Sequence, residues 1–223
     1  MNRLSAFAGL APQALQECVE GAVRRSLKKG EPVFHQGDRP ARFHALLSGW
    51  VRILQAGVDG ELSVIRIVGA GELFGSFAMF SGNAYPADAI AAADGIELSW
   101  SETQFRQLME RYPAIAVNLV TIASQRLLEL QERLREISTQ PAERRIASAL
   151  LRLARKGSKQ HNDGRLEILL PLVRKDIAAL AATTLYTASR TMAAWEREGI
   201  VASSARRISI RLPSDLRRIA DGT

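Results

Sequence analysis

The sequence predicts an α+β protein in three parts: an N-terminal antiparallel β-roll (a jelly roll) over residues 1–112, a long dimerisation helix and hinge over 113–140, and a C-terminal winged helix-turn-helix over 141–223. Three observations predict it. Short glycine-punctuated strands fill residues 25–100, an apolar heptad seam begins at Ala116, and two short helical patterns joined by a tight turn occupy residues 173–201.

The chain opens on MNRLSAFAGLAPQAL. Its apolar stretch is too short for a signal peptide, and it reads as a folded helix with Pro12 near the start, where proline's fixed φ and missing N–H are tolerated. Cys18 is the only cysteine. No internal disulfide can form, a thiolate-held iron–sulfur cluster within one chain is excluded, and Cys18 reads as a small buried hydrophobe. With 223 residues and 47% hydrophobic composition the chain can bury a core in two domains. It has no run of 18 apolar residues, so no membrane span is expected and the cytoplasm is the expected location.

Between residues 25 and 100, glycines separate the runs EPVF (31–34), FHALL (43–47), WVRIL (50–54) and LSVIRIV (62–68), several of them alternating with period two. Many short strands with regular turn signals imply an antiparallel roll. Such a barrel either holds one small ligand or is filled by its own side chains.

From about Pro113 to Ser138 the pattern becomes helical. Ala116, Val120, Ala123, Leu127, Leu130, Leu134 and Ile137 follow a 4-3-4-3-4-3 spacing, the a/d seam of a coiled coil. Ile115, Leu119 and Ile122 form a second stripe that leaves the seam to pack back on the roll. Arg126, Glu129, Gln131, Glu132, Arg133, Arg135 and Glu136 make the last three turns polar everywhere but the seam. So narrow a seam asks for a second identical helix, although a core helix of one chain has similar periodicity. Thr139-Gln140-Pro141 breaks the helix at a hinge. Residues 142–156 form another amphipathic helix, and 156–164 read as a polar loop in which His161 is solvated.

Residues 173–201, VRKDIAALAATTLYTASRTMAAWEREGIV, have the grammar of a DNA-reading module. Ile177, Ala178 and Ala181 present a small apolar face, Ala182-Thr183-Thr184 is a tight connection, and Thr184 caps a helix starting at Leu185. Ala188, Thr191 and Trp195 form that helix's buried stripe. Its other face carries Leu185, Tyr186, Ser189 and Arg190, near the helix N-terminus that enters the major groove in helix-turn-helix proteins. Gly199 ends the helix at a position needing positive φ. A hairpin, or wing, then carries Arg206, Arg207 and Arg211 towards phosphates, and Pro213 opens a last helix capped by Ser214. An ordinary helical hairpin shares part of this pattern.

Charge separates the parts. The chain has a formal charge of +7, yet residues 1–140 carry 14 basic and 15 acidic side chains while residues 141–223 carry 16 and 8. A neutral large part joined to a basic small part is expected when only the small part meets a polyanion, double-stranded DNA here.

With FHQGDRPARFHALLSGWVRI, GELFGSFAMF, the dimerisation helix, PAERRIASALLRLA and the winged helix in this order, nearly the whole chain resembles the bacterial cyclic-AMP-receptor/fumarate-nitrate-regulator (Crp/Fnr) family. The resemblance implies a homodimeric transcription regulator that binds palindromic promoter sites and contacts RNA polymerase. It places the effector pocket at Gly71, Glu72, Gly75, Ser76, Pro86 and Ala87. Cyclic-AMP-binding members carry a Glu after the second glycine and an Arg-Ser or Arg-Thr pair that holds the cyclic phosphate. Here Ser76 and Pro86-Ala87 stand at those places, and Asp88 follows. A buried phosphate needs paired positive charge, so a signal other than a cyclic nucleotide, or none, is expected. Arg52 or Arg66 is the alternative source of charge.

In the family's recognition helix a Glu and an Arg read a C·G pair and its neighbour. Arg190 matches the Arg, while Tyr186 replaces the Glu and faces a thymine methyl or a phosphate instead; Thr184 and Ser189 are contacts of lower specificity. No cofactor is expected. A small-molecule or haem-based gas sensor with DNA binding as its output is the alternative, the haem option resting on His44 in an alternating strand, since His35 reads as a capped surface turn. No Ser/His/Asp set, carboxylate pair, P-loop or metal-ligand spacing points to an enzyme.

Overall fold

The computed structural model describes residues 4–57, 62–205 and 207–223. By its contacts the chain divides into two units, residues up to 62 with 66–129, and residues 63–65 with 130–223.

The first unit begins with a 3-10 turn at Ser5–Phe7 and helix α1, Pro12–Glu20, which has Pro12 in its first turn as the sequence predicts. Cys18 is fully buried on α1, and that burial pushes its thiol up to about 11. Six strands follow: β1 (Val23–Leu27), β2 (Pro32–Phe34), β3 (Arg42–Ala56), β4 (Leu62–Gly69), β5 (Leu73–Phe74) and β6 (Asp88–Ser101). They form one sheet in the order β1-β6-β3-β4, with β2 added to β6 and β5 to β3. The runs 43–47 and 50–54, expected as two strands, are one 15-residue strand. Gly49, expected at a turn, instead lies where the register of β3 against β6 shifts. Its φ is +88°, and a Cβ there would sit 2.6 Å from the Asp94 carbonyl oxygen, so only glycine lets the strands approach at this bulge.

Aromatic packing closes this unit. Phe43 stacks on Phe105 with centroids 4.1 Å apart, Trp100 meets Phe7 edge-on at 5.4 Å, and the Trp100 indole N–H donates to the Cys18 carbonyl at 2.7 Å. Helices α2 (Ser76–Ser81) and α3 (Glu102–Arg111) flank the strands, α3 starting from a capping box between Ser101 and Gln104. Helix α4 runs over Ala114–Thr139. Ile115, Leu119 and Ile122 pack on the Phe43–Trp100 cluster, the expected second stripe.

The second unit contains α5 (Ala142–Lys156), β7 (Ser158–Gln160), β8 (Leu166–Ile168), α6 (Arg174–Leu180), α7 (Leu185–Arg197), β9 (Val201–Ser204), β10 (Arg207–Ile210) and α8 (Pro213–Asp221). Its four-stranded sheet has the order β7-β8-β10-β9. Three local expectations change here. The polar loop after Lys156 carries β7, because a polar strand at a sheet edge shows no apolar alternation. His161 is not simply solvated: its Nε2 is 2.9 Å from Glu167. α8 is entered through Leu212 and Pro213, with no side-chain cap from Ser214. On α7 the buried stripe is Ala188, Met192 and Trp195, with Thr191 only half-buried at its edge.

Candidate nucleic-acid interface

The helix pair α6–α7 is built from the turn outward. Ile177, Ala178 and Ala181 are buried as the sequence predicts, and the Asp176 carboxylate accepts the Val173 N–H at 3.0 Å to close the start of α6. After the turn, the Thr184 hydroxyl accepts the Thr187 N–H at 3.1 Å and lies 2.9 Å from the Thr187 hydroxyl. Thr184 is therefore first the cap of α7.

Behind α7, Ala188, Met192 and Trp195 are buried. In front, Leu185, Tyr186 and Arg190 are exposed and Ser189 half-exposed, all within its first two turns. One face thus gathers an apolar, an aromatic, a hydroxyl and a guanidinium group. The Arg190 guanidinium lies 5.9 Å from the Tyr186 ring centroid, a cation–π distance on adjacent turns.

The predicted wing residues fare differently. Arg207 is exposed on β10, and its guanidinium is 3.2 Å from Glu167. Hydrogen bonds from His161 and then Arg207 hold the Glu167 carboxyl below the usual carboxylate range. Arg211 is exposed, whereas Arg206 lies outside the described residues.

On α4 the seam residues Val120, Leu127, Leu130, Leu134 and Ile137 are exposed, Leu134 at 66%, while Ala123 is half-buried. Val117 and Leu128 add exposed apolar surface beside them. The remaining faces are polar as expected, but not all of them are open to solvent. Arg126 donates to the Leu73 carbonyl, and burial, followed by the charge of Arg66, brings its guanidinium down to about 10. Glu136 is buried against Arg152.

The residues expected to line an effector pocket make contacts within the roll. Gly71 has φ +93°, donates to the Leu46 carbonyl at 2.7 Å and accepts from Ser5. The Glu72 carboxylate takes Arg66 at 2.6 Å and the Gly69 N–H at 3.0 Å. Gly75, at φ +72°, precedes α2, whose first residue Ser76 is buried; Pro86 is exposed and Ala87 buried. Next to Gly75 lies a group of which the sequence pattern singled out only His44. His44 is buried with Nδ1 on the Glu97 carboxylate and Nε2 3.3 Å from the Tyr85 hydroxyl, and Glu97 also takes Arg25 at 3.0 Å. Phe34 stacks on Tyr85 at 3.7 Å beside it. A carboxylate inside the apolar run GIELSW was the available signal. His35 is the exposed, capped turn expected of it, its N–H donating to Asp38 at 2.9 Å.

Two family descriptions match the chain, a cyclic nucleotide-binding domain over residues 24–112 and a Crp-like helix-turn-helix domain over 144–219. The chain is 32% identical over 216 residues to a cyclic AMP receptor protein of Thermus thermophilus, covering 97% of this chain and 96% of that one. It is 29% identical over 195 residues to the nitrogen fixation regulation protein FixK of Rhizobium meliloti, covering 87% and 85%. Among solved structures, the catabolite activator protein of Thermus thermophilus shares 30% identity with a TM-score of 0.56 over 98% of this chain and 99% of that one. FixK2 of Bradyrhizobium japonicum superposes with a TM-score of 0.76 over 89% and 96% at 22% identity, a likeness of fold. With its roll, its capped helix α7 and this identity along nearly its whole length, the chain belongs to the Crp/Fnr family of transcription regulators and carries that family's helix-turn-helix DNA-binding domain.

Proposed function

We propose that the protein is a homodimeric, sequence-specific regulator that reads inverted-repeat promoter DNA, in the cytoplasm, and works by binding rather than by catalysis. The exposed face Leu185–Tyr186–Ser189–Arg190 on a capped helix carries this reading. Arg190 reaches guanine as a fork, Tyr186 takes a thymine methyl or a phosphate, and the wing arginines Arg206 and Arg207 take phosphates. The exposed apolar seam of α4 supports pairing with a second copy, which places two reading helices about a two-fold axis. Contact with RNA polymerase follows from family membership.

The signal in this reading is not a cyclic nucleotide, and the roll holds no haem. Pro86 and Ala87 offer a cyclic phosphate neither charge nor donors beyond backbone, while Asp88 adds a repelling carboxylate. Both nitrogens of His44 already face protein groups, which argues against an axial ligand there. The Thermus relative's name states a cyclic AMP receptor, so direct titration of this chain is the test of that difference. Selection of bound duplexes from a random library tests the whole reading: an inverted repeat with half-site centres ~10–10.5 bp apart is expected, and absence of any enriched sequence overturns it.

A further inference from the structure

The turn between α6 and α7 is strained and held from outside. Ala182 has φ +49°, a left-handed conformation that is unfavourable for a residue with a Cβ. Three carbonyls at the end of α6, those of Leu180, Ala181 and Ala182, meet arginines. Arg145 of α5 donates through Nε to Ala181 at 2.9 Å and through Nη2 to Ala182 at 3.0 Å. Its third nitrogen, Nη1, donates to the carbonyl of Gln140, the residue after α4. Arg133, on α4 itself, donates to the Leu180 carbonyl at 3.2 Å. One planar fork therefore joins the end of the seam helix to the turn from which the reading helix departs, and a guanidinium is the side chain that can do so at three points. Cations at helix C-terminal carbonyls are also electrostatically favoured.

We propose that Arg145 is a positioning residue for DNA reading: it keeps the Ala182 turn in its left-handed form and ties it to the end of α4, so that α7 presents Arg190 in one pose. Arg133 reinforces the same joint. Only Thr183 and Thr184 separate Ala182 from the first residue of α7, so a change of φ at Ala182 swings the whole reading face. The inference rests on the DNA-reading function proposed above and adds the residue that orients it.

The full-length protein tests it through the ratio of its affinities for a selected duplex and for random duplex, measured on variants shown to be folded and of unchanged oligomeric state. Arg145→Gln is expected to lower that ratio roughly tenfold, with the affinity for random duplex nearly unchanged. Arg145→Lys keeps the charge but cannot reach three carbonyls, so it should resemble Arg145→Gln rather than the parent. Ala182→Gly removes only an exposed methyl and the strain, and in the Arg145→Gln background it should restore part of the ratio. A loss of stability alone would move both affinities together. Should Arg145→Gln fail to fold, Arg145→Lys and Arg133→Gln carry the same measurement. Folded variants that keep the parent's ratio overturn the positioning role, whereas a parent protein with no preference for any duplex overturns the DNA-reading function itself.

Discussion

Nη1 of Arg152 lies 2.7 Å from one carboxylate oxygen of Glu136 and 2.9 Å from the other, and Glu136 is only 6% exposed. This pair joins the last turn of α4 to the C-terminal half of α5. Removing one member of a buried pair strands the other, at about 3–5 kcal/mol when both are dry. Arg152 keeps 26% of its side chain exposed, which places Glu136→Ala at the lower end of that range. Urea unfolding should show this, with Glu136→Ala/Arg152→Met losing less than the single change. Equal stability of Glu136→Ala and the parent protein would contradict the burial.

The seam prediction is oligomeric. Leu130→Glu with Leu134→Glu places carboxylates opposite their symmetry mates and should cost several kcal/mol of association, ~3 or more. Sedimentation at micromolar concentration should then find monomers. A double variant that stays dimeric places the interface elsewhere.

Arg190 and Arg207 should separate by kind of effect. Arg190→Ala should cost ~1–3 kcal/mol per half-site and relax preference at one base pair. Arg207→Ala should weaken all sequences alike and flatten the salt dependence, because a phosphate contact acts through counterion release. The Glu167 carboxylate already held by Arg207 makes this second effect modest. Tyr186→Glu should shift one position towards cytosine by supplying an acceptor for its N4 amino group. Unchanged sequence preference in Arg190→Ala, with altered preference in Arg207→Ala, would move the reader from α7 to the wing.

Calorimetry should record no heat with cyclic AMP or cyclic GMP at millimolar ligand. Pro86 and Ala87 supply none of the charge-assisted bonds that a cyclic phosphate requires. A micromolar dissociation constant for either nucleotide would reverse the reading of the roll.

Cys18 provides a pH prediction. Its folded thiol titrates near 11 against an ordinary 9.0, because burial disfavours the thiolate. The folded value is the higher one, so this group's contribution to stability is complete below pH 9 and declines as pH rises towards 11. Cys18→Ala should flatten stability over that alkaline window, and Ellman's reagent should label native Cys18 only as fast as the chain unfolds. Rapid native labelling at pH 8 would show the thiol to be accessible.

Local pattern determined much of this protein. The heptad of α4, the Thr184 cap, the positive φ at Gly199 and the basic C-terminal part were legible because each depends on residues within a few positions of one another. Tertiary structure decided the rest. Gly49 looked like a turn, and only the approach of β3 to β6 makes it a bulge inside one long strand. Glu97, 53 residues from His44, pairs with it because two strands distant in sequence lie side by side. Arg126, Arg133 and Glu136 read only as polar positions off the seam, yet their partners lie on other elements of the fold. Periodicity records which face of an element avoids water, whereas the partner of a polar side chain on that element is set by chain closure between distant segments, which no local pattern encodes.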